Sequence, residues 1–591
     1  MGRRSRRRQH TCIDEMSGGD RLSVLPDDLL RRVLHFSPAR EGASTGALSK
    51  RWHGLWRSSG AVNLDARIPD DFNNDHDLFS RRDVFVSAAR LSLEAAAADS
   101  PVTRLTFRID DPGQRDGVMK FLRFDTRFSI RSTDVITKLL SLPAVRRVEV
   151  LRLAETYADH RLMPSMADEE EEVTSLWRTD GFKALSFLSL PSETLRVLDV
   201  TSCGGFEPSV GVTFPRLASL RLSRCSCWHL QDFIAAAPAL ATLHLESVQF
   251  HGETPPPPRQ GLIVRLLCPA ATELVLDRCS WGEERYGCGG TTAVEIDAPR
   301  LRRFTYKGLR RQFVLSSQAP DLARVHLHIF PDVHRKDKDA RRDLETFWRF
   351  AQNFSNAKEM KLRVNLFEDI AVIGAASQAK LLFSFPKLER LELEGKHMSN
   401  EKTAAVAVAN LLSCSPVLRD LNLTMAHHNL NRARQQGRCF LEKKYRHDLE
   451  KSIHGFNNRK LALLPMVTKE GAYDDDGDAI YNELSDLPAL SGHVFDCLLS
   501  TLSCVRLQFR LETNIFERNK LRSYFAPKLI KFFAENAAVL KEMHIDGGNR
   551  KLCEHMNGNL ERWVANLSEK RKTAFVVLPL ERQNQVGEVT I

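Results

Sequence analysis

The sequence predicts an α/β protein in which a small helical unit at the N-terminus precedes a long, curved solenoid of repeated strand-containing units. Two observations predict this fold. The first is a short segment with apolar residues at helical spacing, between Asp20 and Arg40, near the start of a chain of 591 residues. The second is a pattern of proline and alternating leucines that returns along the middle of the chain.

Within the N-terminal segment, the letters LPDD, which begin at Leu25, have the features of a helix start. Pro26 suits the first helical position, because the N–H that proline lacks has no partner there. The two aspartates that follow oppose the positive end of the helix dipole. Pro38 is expected to end the segment. The apolar stripe of this helix consists of Leu29, Leu30, Val33 and Leu34.

A second helix is predicted from Leu48, Trp52, Leu55 and Trp56, which follow the spacing i, i+4, i+7 and i+8. The two helices would form a unit of about forty residues, a size that rarely folds stably by itself. A partner that completes the core of this unit is therefore expected.

The middle of the chain repeats the pattern Pro-x-Leu-x-x-Leu-x-Leu, as in FPRLASLRLSRC and FPKLERLELEGK. This is the leucine-rich-repeat pattern, in which Leu-x-Leu forms a short strand with one buried face and neighbouring units stack. Helical stretches are predicted between strands, for example at Leu230–Ala237 and Thr403–Leu412. The recognisable copies begin at Leu142, Phe214, Ala237, Cys268, Ala298, Ala319, Phe385 and Ser415.

The cysteines fit this repeat better than they fit a disulfide framework or a metal site. Cys203, Cys225 and Cys279 each follow the second apolar strand residue by three positions, where a small side chain turns inward. The letters CSCWH give Cys225, Cys227 and His229, but no second ligand pair accompanies them, so zinc is not expected.

The repeat lapses after residue 427 and returns near the C-terminus. The acidic letters GAYDDDGDAIYNE resemble a calcium loop, but Ala472 stands where the first carboxylate is required, so an acidic linker is predicted instead. The tail is predicted to contain an amphipathic helix through Leu529 and Phe533, followed by a repeat-like strand with Met543 and Ile545.

The segment LPDDLLRRVLHFSPAREGASTGALSKRWHGLWRS resembles the plant F-box, and the tail resembles the C-terminal (FBD-like) region of plant F-box proteins with leucine-rich repeats. The resemblance implies helices that dock on the Skp adaptor, and through it on the cullin, of a ubiquitin ligase. It differs at Ser37, where a leucine is usual, and at the small residues between Gly42 and Ala47. The adaptor-binding residues implied are Leu25, Pro26, Leu29, Leu30, Val33, Leu34, Leu48 and Trp52.

The function expected from this resemblance is that of a substrate-recognition subunit of a Skp–cullin–F-box ligase, with the repeats binding a target protein. Arg221, His244 and His326 occupy outward positions between strand leucines and are the predicted target contacts. No catalytic or cofactor-binding motif is found, so we expect a non-catalytic chain without a metal or cofactor. The alternative is a leucine-rich-repeat scaffold whose F-box has decayed.

The net charge of +10 and the arginines between Arg3 and Arg8 admit nucleic-acid binding, but no aromatic–basic motif supports it. No stretch reaches 18 apolar residues and no secretion signal is recognised, so no membrane span and a cytoplasmic or nuclear location are expected.

The predicted organisation follows from these patterns. It comprises a disordered basic tail (1–19), the F-box (20–65), a linker and N-terminal cap (66–139), the leucine-rich-repeat solenoid (140–426), a polar and acidic linker or insertion (427–489) and a C-terminal repeat-like region (490–591).

Overall fold

The protein is a mixed α/β molecule with a large parallel sheet. Its chain divides into two compact units, the first comprising the described residues up to Ala239 and the second those from Leu240 onward. The computed structural model describes residues 24–52, 54–68, 75–111, 117–122, 134–157, 184–250, 263–281, 293–317, 319–330, 340–397, 401–427, 487–510, 525–546 and 574–577.

The first unit contains five parallel strands in the order β1-β2-β3-β5-β7, beside which β4 and β6 form a separate parallel pair. The strands are β1 Ala61–Arg67, β2 Arg104–Asp111, β3 Val150–Tyr157, β4 Leu185–Ser186, β5 Val197–Thr201, β6 Phe206–Glu207, β7 Ser219–Ser223 and β8 Ser226–Cys227. The helices are α1 Asp27–Leu34, α2 Ala39–Ser44, α3 Asp75–Asp99, α4 Gly117–Leu122, α5 Val135–Leu140 and α6 Leu230–Ala236.

The second unit contains ten parallel strands in the order β9-β12-β14-β16-β17-β18-β19-β20-β21-β22, and a second parallel sheet β11-β13-β15. The strands are β9 Thr242–Glu246, β10 Gln249–Phe250, β11 Ile263–Leu267, β12 Glu273–Asp277, β13 Ala293–Asp297, β14 Arg303–Leu309, β15 Gln312–Leu315, β16 Arg324–Phe330, β17 Glu359–Leu366, β18 Arg390–His397, β19 Asp420–His427, β20 Cys504–Arg510, β21 Glu542–Asp546 and β22 Ala574–Val577. The helices are α7 Ala340–Gln352, α8 Ala375–Leu381, α9 Glu401–Cys414, α10 Pro488–Ser491, α11 Asp496–Ser500 and α12 Phe525–Asn536.

The strands of the large sheet lie where the repeated proline pattern predicts them. In the copies that contain Pro215, Pro238 and Pro386, the strands begin at Ser219, Thr242 and Arg390. Each strand therefore starts at the same distance from its proline, which has no N–H to donate and precedes the ladder rather than joining it. The copy at Leu142 differs, because a 3₁₀ turn at Pro143–Val145 delays its strand to Val150.

The core consists of the alternate strand residues, which lie in register from one strand to the next. Leu198 pairs with Leu220 and Val200 with Leu222, and all four side chains are buried. The same register joins Leu362 on β17 to its neighbours Leu327 and Leu393 in the second unit. Burying one such side chain contributes about 1.5–3 kcal/mol, so each strand depends on the neighbour that covers it.

Several strands end in one recurring turn. Ser202, Arg224, Ser247 and Arg278 have positive φ angles of 58°, 53°, 50° and 49°, and each directly precedes a residue that points inward. In the first unit the inward residues are Cys203 and Cys225, and the backbone N–H of Cys203 donates to Cys225 Sγ at 3.4 Å.

Burial raises the pKa of Cys225 and of Cys279, at the corresponding position in the second unit, to about 12. Both thiols are therefore protonated at neutral pH and act as small core residues, as the repeat pattern predicts.

Aromatic clusters fill the space between the strands and the segments that connect them. In the first unit Phe206 stacks on Phe233 with centroids 4.2 Å apart. In the second unit Trp281 stacks on Phe250 at 4.3 Å and meets the edge of Phe313 at 6.1 Å.

The side chain of Asn353, just beyond α7, accepts from the Leu315 N–H and donates to the Phe313 carbonyl, each at 3.1 Å.

The N-terminal helices differ from the prediction in their limits. The first helix begins at Asp27, one residue later than expected, and Pro26 precedes it with a carbonyl that accepts from the Leu29 and Leu30 N–H groups. This helix ends at Leu34, and Pro38 introduces the additional short helix α2 rather than ending the segment. Proline suits that place, because its fixed φ and missing N–H are tolerated at the start of a helix.

The prediction of a second helix that contains Leu48 and Trp56 is wrong. Residues 48–52 and 54–56 form turns, framed by 3₁₀ turns at Thr45–Ala47 and Arg57–Ser59. Gly54 has a φ of +133°, which lies outside the helical region, and this interrupts the helix that the apolar spacing indicates. The apolar residues still serve a core, because Trp52, Leu55 and Trp56 are buried.

Gly42 has a packing role in this core. A Cβ atom added at Gly42 would lie 2.3 Å from Cδ1 of Trp56, so helix α2 approaches the indole ring as only a glycine permits. The small residues of this segment therefore include one that the local packing requires.

Some sequence predictions lie outside the described residues. These are the basic tail (1–19) and the calcium-like letters at Gly471–Glu483. The part of the chain that the structure describes has no helix long and apolar enough to cross a membrane.

We predict that Gly42→Ala destabilises the N-terminal unit. Alanine gains about 1 kcal/mol of helix propensity over glycine. Overpacking of this kind costs about 1–3 kcal/mol, so the net change should lower the free energy of unfolding. The urea midpoint of the full chain, followed by tryptophan fluorescence, measures the effect. In a Trp56→Leu background the penalty should shrink, because the indole ring that the added methyl group would meet is gone. An equal penalty in both backgrounds would contradict the contact.

Candidate functional site

The N-terminal helix exposes an apolar row beside its buried face. Leu29 and Val33 lie one turn apart on α1 with exposed fractions of 47% and 52%, and Phe36 follows at 61%. We call these three residues the apolar row. A row spaced i, i+4 and i+7 is the form in which a helix presents anchors to a groove on another protein.

The remaining residues of the predicted adaptor surface fall into two groups. Leu25 is half-buried, while Pro26 and Leu48 are exposed. Leu30, Leu34 and Trp52 are buried in the protein's own core. The structure therefore places five of the eight predicted residues where another protein can reach them, and three where they support the surface from beneath.

Polar contacts hold the turn that follows Leu48 against the start of the helix. Arg51 Nε lies 2.8 Å from an Asp27 carboxylate oxygen, and the same guanidinium donates to the carbonyl of Leu25. Because the pair is exposed, it contributes at most about 1 kcal/mol. Its main effect is to fix the position of this turn beside α1.

The other end of the helix is joined to the first strand of the sheet. Asn63 on β1 donates to the carbonyls of His35 and Ser37 at 3.0 and 2.9 Å, and His35 Nδ1 lies 2.9 Å from the Ser59 carbonyl oxygen. The Arg104 guanidinium of β2 lies 4.9 Å from the centre of the Phe36 ring. The apolar row is thus connected to the sheet through several contacts.

The outward face of the strands carries the three predicted target contacts. Arg221 on β7 is exposed and lies opposite Asp199 of β5. His244 on β9 and His326 on β16 are half-buried and belong to the second unit. Their role as target contacts stays a prediction.

The charged residues that begin four neighbouring strands of the second unit, β16 to β19, alternate in sign. Arg324 meets Glu359 at 2.9 Å, and Arg390 meets both Glu359 at 3.5 Å and Asp420 at 3.2 Å. Opposite charges on neighbouring strands each contribute roughly 0.2–1 kcal/mol. The alternation pairs these four charges with one another within the protein.

Two histidines on β16 are held in the neutral form. Burial, and after it the neighbouring Arg363, His326, Lys307 and Arg278, lower the pKa of His328 to about 3. Burial, with the cations of β17 and β14, also lowers the pKa of His326. At neutral pH this part of the face therefore presents imidazoles that donate and accept hydrogen bonds without carrying charge.

The structure places the three residues of the letters CSCWH in different surroundings. Cys225 and Cys227 are buried, and His229 Nδ1 instead contacts Asp232 at 2.9 Å. Among the described residues, one group does place three possible ligand atoms together, formed by Cys504, Glu542 and His544. Sequence reasoning missed this group, because its only local signal is the short pattern Glu-x-His at the start of a strand.

We predict that replacing His328 by glutamine flattens the acid dependence of stability. As the pH falls from about 6.5 toward about 3, the unfolded chain binds a proton at this histidine and the folded chain does not, so stability is lost. Urea midpoints at about pH 7.5 and pH 5 measure the loss. The His328→Gln variant should lose less stability between these two pH values than the wild type does. The control His493→Gln, at an exposed histidine, should lose as much as the wild type. Equal losses in all three proteins would refute the prediction.

Comparison with known proteins identifies relatives among plant proteins. No family model matches the chain. An F-box/FBD/LRR-repeat protein of Arabidopsis thaliana is 26% identical over 253 residues, which cover 39% of this chain and 54% of the relative. A second is 24% identical over 306 residues, covering 51% of this chain and 47% of the relative.

Shorter matches show higher identity. An FBD-associated F-box protein of Arabidopsis thaliana is 36% identical over 89 residues, 15% of this chain and 20% of the relative. The chain spans about half the length of the curated relatives with the longer matches, and much less of the others. The resemblance predicted from the sequence is confirmed: the chain is similar to plant F-box proteins that carry leucine-rich repeats and an FBD region.

Proposed function

We propose that this chain is the non-catalytic substrate-recognition subunit of a Skp–cullin–F-box ubiquitin ligase. In this proposal the N-terminal helices form an F-box that binds the Skp adaptor, and the strands with their connecting helices form a curved leucine-rich-repeat solenoid that binds a target protein. The similarity to F-box/FBD/LRR-repeat proteins supports this assignment.

The observation that carries the proposal is the exposed apolar row of Leu29, Val33 and Phe36. Fully burying a leucine or valine side chain releases about 1.5–3 kcal/mol. A helix that keeps Leu30 and Leu34 for its own core and turns Leu29 and Val33 outward has two apolar faces, and the second one needs a partner. The row lies within the segment that resembles the F-box, so the adaptor is the proposed partner.

The connection between α1 and the sheet gives the docked complex a defined geometry. Asn63 and His35 tie the end of α1 to β1 and to the turn before it. A protein bound at the apolar row would therefore be held at a fixed distance from the first strands. This is the property required of a receptor that presents its target at a constant position.

The chemical contribution of such a receptor is proximity. Holding a target beside the charged ubiquitin-carrying enzyme raises the effective concentration of its lysines without any chemical step by the receptor. The predicted target contacts are the outward residue Arg221 in the first unit, and His244 and His326 in the second. We propose that the protein works in the cytoplasm or the nucleus, where such ligases meet their targets.

One local feature favours weaker binding to the Skp adaptor than a usual F-box would show. Ser37, which replaces the usual leucine, donates its hydroxyl to the Val33 carbonyl at 3.2 Å and offers no apolar contact. If this loss abolished adaptor binding, the chain would be a repeat scaffold with a decayed F-box.

We predict that the double substitution Leu29→Ala, Val33→Ala weakens binding to a purified Skp adaptor about tenfold or more, because truncating a buried interface anchor costs more than about 1 kcal/mol. Calorimetry or surface plasmon resonance with the full chain measures the affinity. Both side chains are exposed, so the fold should survive, and circular dichroism checks this.

The matched control is Val84→Ala, Leu91→Ala, which truncates two exposed apolar residues seven positions apart on α3 of the same unit. The control should bind as the wild type does. Unchanged affinity in the α1 variant would remove the apolar row from the interface. Absence of binding by the folded wild-type chain would reject the receptor function.

A further inference from the structure

A second candidate site lies on the outward face near the C-terminal end of the sheet. Cys504 opens β20 and lies directly opposite Glu542, which opens β21. His544 follows Glu542 by two positions and therefore points to the same side of the strand. The thiol sulfur, a carboxylate oxygen and a ring nitrogen of these residues all lie within 4.8 Å of one another.

The distances suit a tetrahedral ion. His544 Nε2 and Glu542 Oε2 are 3.2 Å apart. Two ligand atoms that each lie about 2.0–2.1 Å from a tetrahedral zinc ion are about 3.3–3.4 Å apart, so this edge of the tetrahedron is nearly formed already. The Cys504 sulfur lies within 4.8 Å of both atoms and must approach them to complete a three-ligand face.

The donor set selects the class of ion. A thiolate, an imidazole and a carboxylate are ligands that zinc shares with other late divalent transition metals, whereas calcium and magnesium require oxygen ligands. A thiolate and a carboxylate together carry two negative charges, which balance a divalent cation. The buried Cys504 supplies a sheltered ligand, and the exposed Glu542 leaves the site open to solvent for the ion to enter.

The charged side chains beside the three ligands do not occupy the position of the ion. Asp420, opposite Cys504 on β19, is engaged by Arg390 at 3.2 Å. Arg506 lies two residues after Cys504 on the same face and opposite His544, where its positive charge would oppose the ion. Arg390 also acts on Cys504 but is paired with Asp420, so the two negative ligands exceed the opposing charge of Arg506.

We propose that Cys504, Glu542 and His544 bind a zinc-class divalent ion that joins strands β20 and β21. Three protein ligands leave the fourth position of a tetrahedral ion for water or for a ligand atom of another molecule. The site lies outside the N-terminal surface proposed for the adaptor and is independent of it.

The test uses the purified, metal-free full chain and cobalt as a spectroscopic substitute for zinc. Titration with Co²⁺ should produce a near-ultraviolet thiolate-to-cobalt absorption that reaches its limit at one equivalent and disappears when Zn²⁺ is added. Zn²⁺ should also raise the melting temperature, because an ion that binds only the folded state stabilises it.

Cys504→Ser and His544→Asn should each abolish the cobalt absorption and the thermal shift. Glu542→Gln should weaken binding by about tenfold or more, since even residues that only orient metal ligands contribute that much. The matched controls are Cys497→Ser and His493→Asn, a buried cysteine and an exposed histidine in the same part of the chain. Both controls should retain the absorption.

Two results would overturn the proposal. One is a folded wild-type chain that shows neither the absorption nor the thermal shift. The other is an absorption that survives one of the substitutions. If it survives Cys504→Ser, the ion is bound by other cysteines; if it survives His544→Asn, His544 is not a ligand. If the Cys504 variant fails to fold, the Glu542→Gln variant decides, because its side chain is exposed and contributes little to the core.

Discussion

The structure depends on the burial of alternate strand residues against the strands on either side. Leu220 and Leu222 are covered by Leu198 and Val200, and corresponding pairs continue strand by strand through each unit. A strand of five residues cannot bury this surface by itself, so its stability is shared with its neighbours. The prolines that precede the strands, the turns with positive φ that follow them and the inward cysteines all serve this arrangement.

The same register determines what the outward face can present. Because parallel strands repeat the same spacing, each row across the face contains one residue from every strand. At the starts of β16 to β19, arginine and acidic residues alternate and neutralise one another. In the next rows the half-buried His326 and His328 remain uncharged, so recognition by this face would rely on shape and hydrogen bonds as well as on charge.

The sequence predicted the repeated strands well, because one proline and two leucines determine where each strand starts and which side is buried. It failed between Leu48 and Trp56, where apolar spacing indicated a helix and the φ of Gly54 prevents one. It could not show that Gly42 lies against Trp56, because that approach is a tertiary contact. For the same reason the proximity of Cys504 to His544 became visible only when β20 and β21 were paired. Leu29 and Leu30 likewise both belong to the predicted apolar stripe, and only the packing of the helix exposes the first and buries the second.

The pairing of β19 with β20 has a consequence for how such a chain can change over time. The Arg419 carbonyl accepts a hydrogen bond from Ser503, which is 84 residues further along, whereas Ala241 and Thr272 make the equivalent contact across 31 residues. Closing the longer connection costs only about 0.9 kcal/mol more by loop entropy. Length can therefore be inserted between neighbouring strands at small energetic cost, and new sequence can accumulate there while the ladder stays in register.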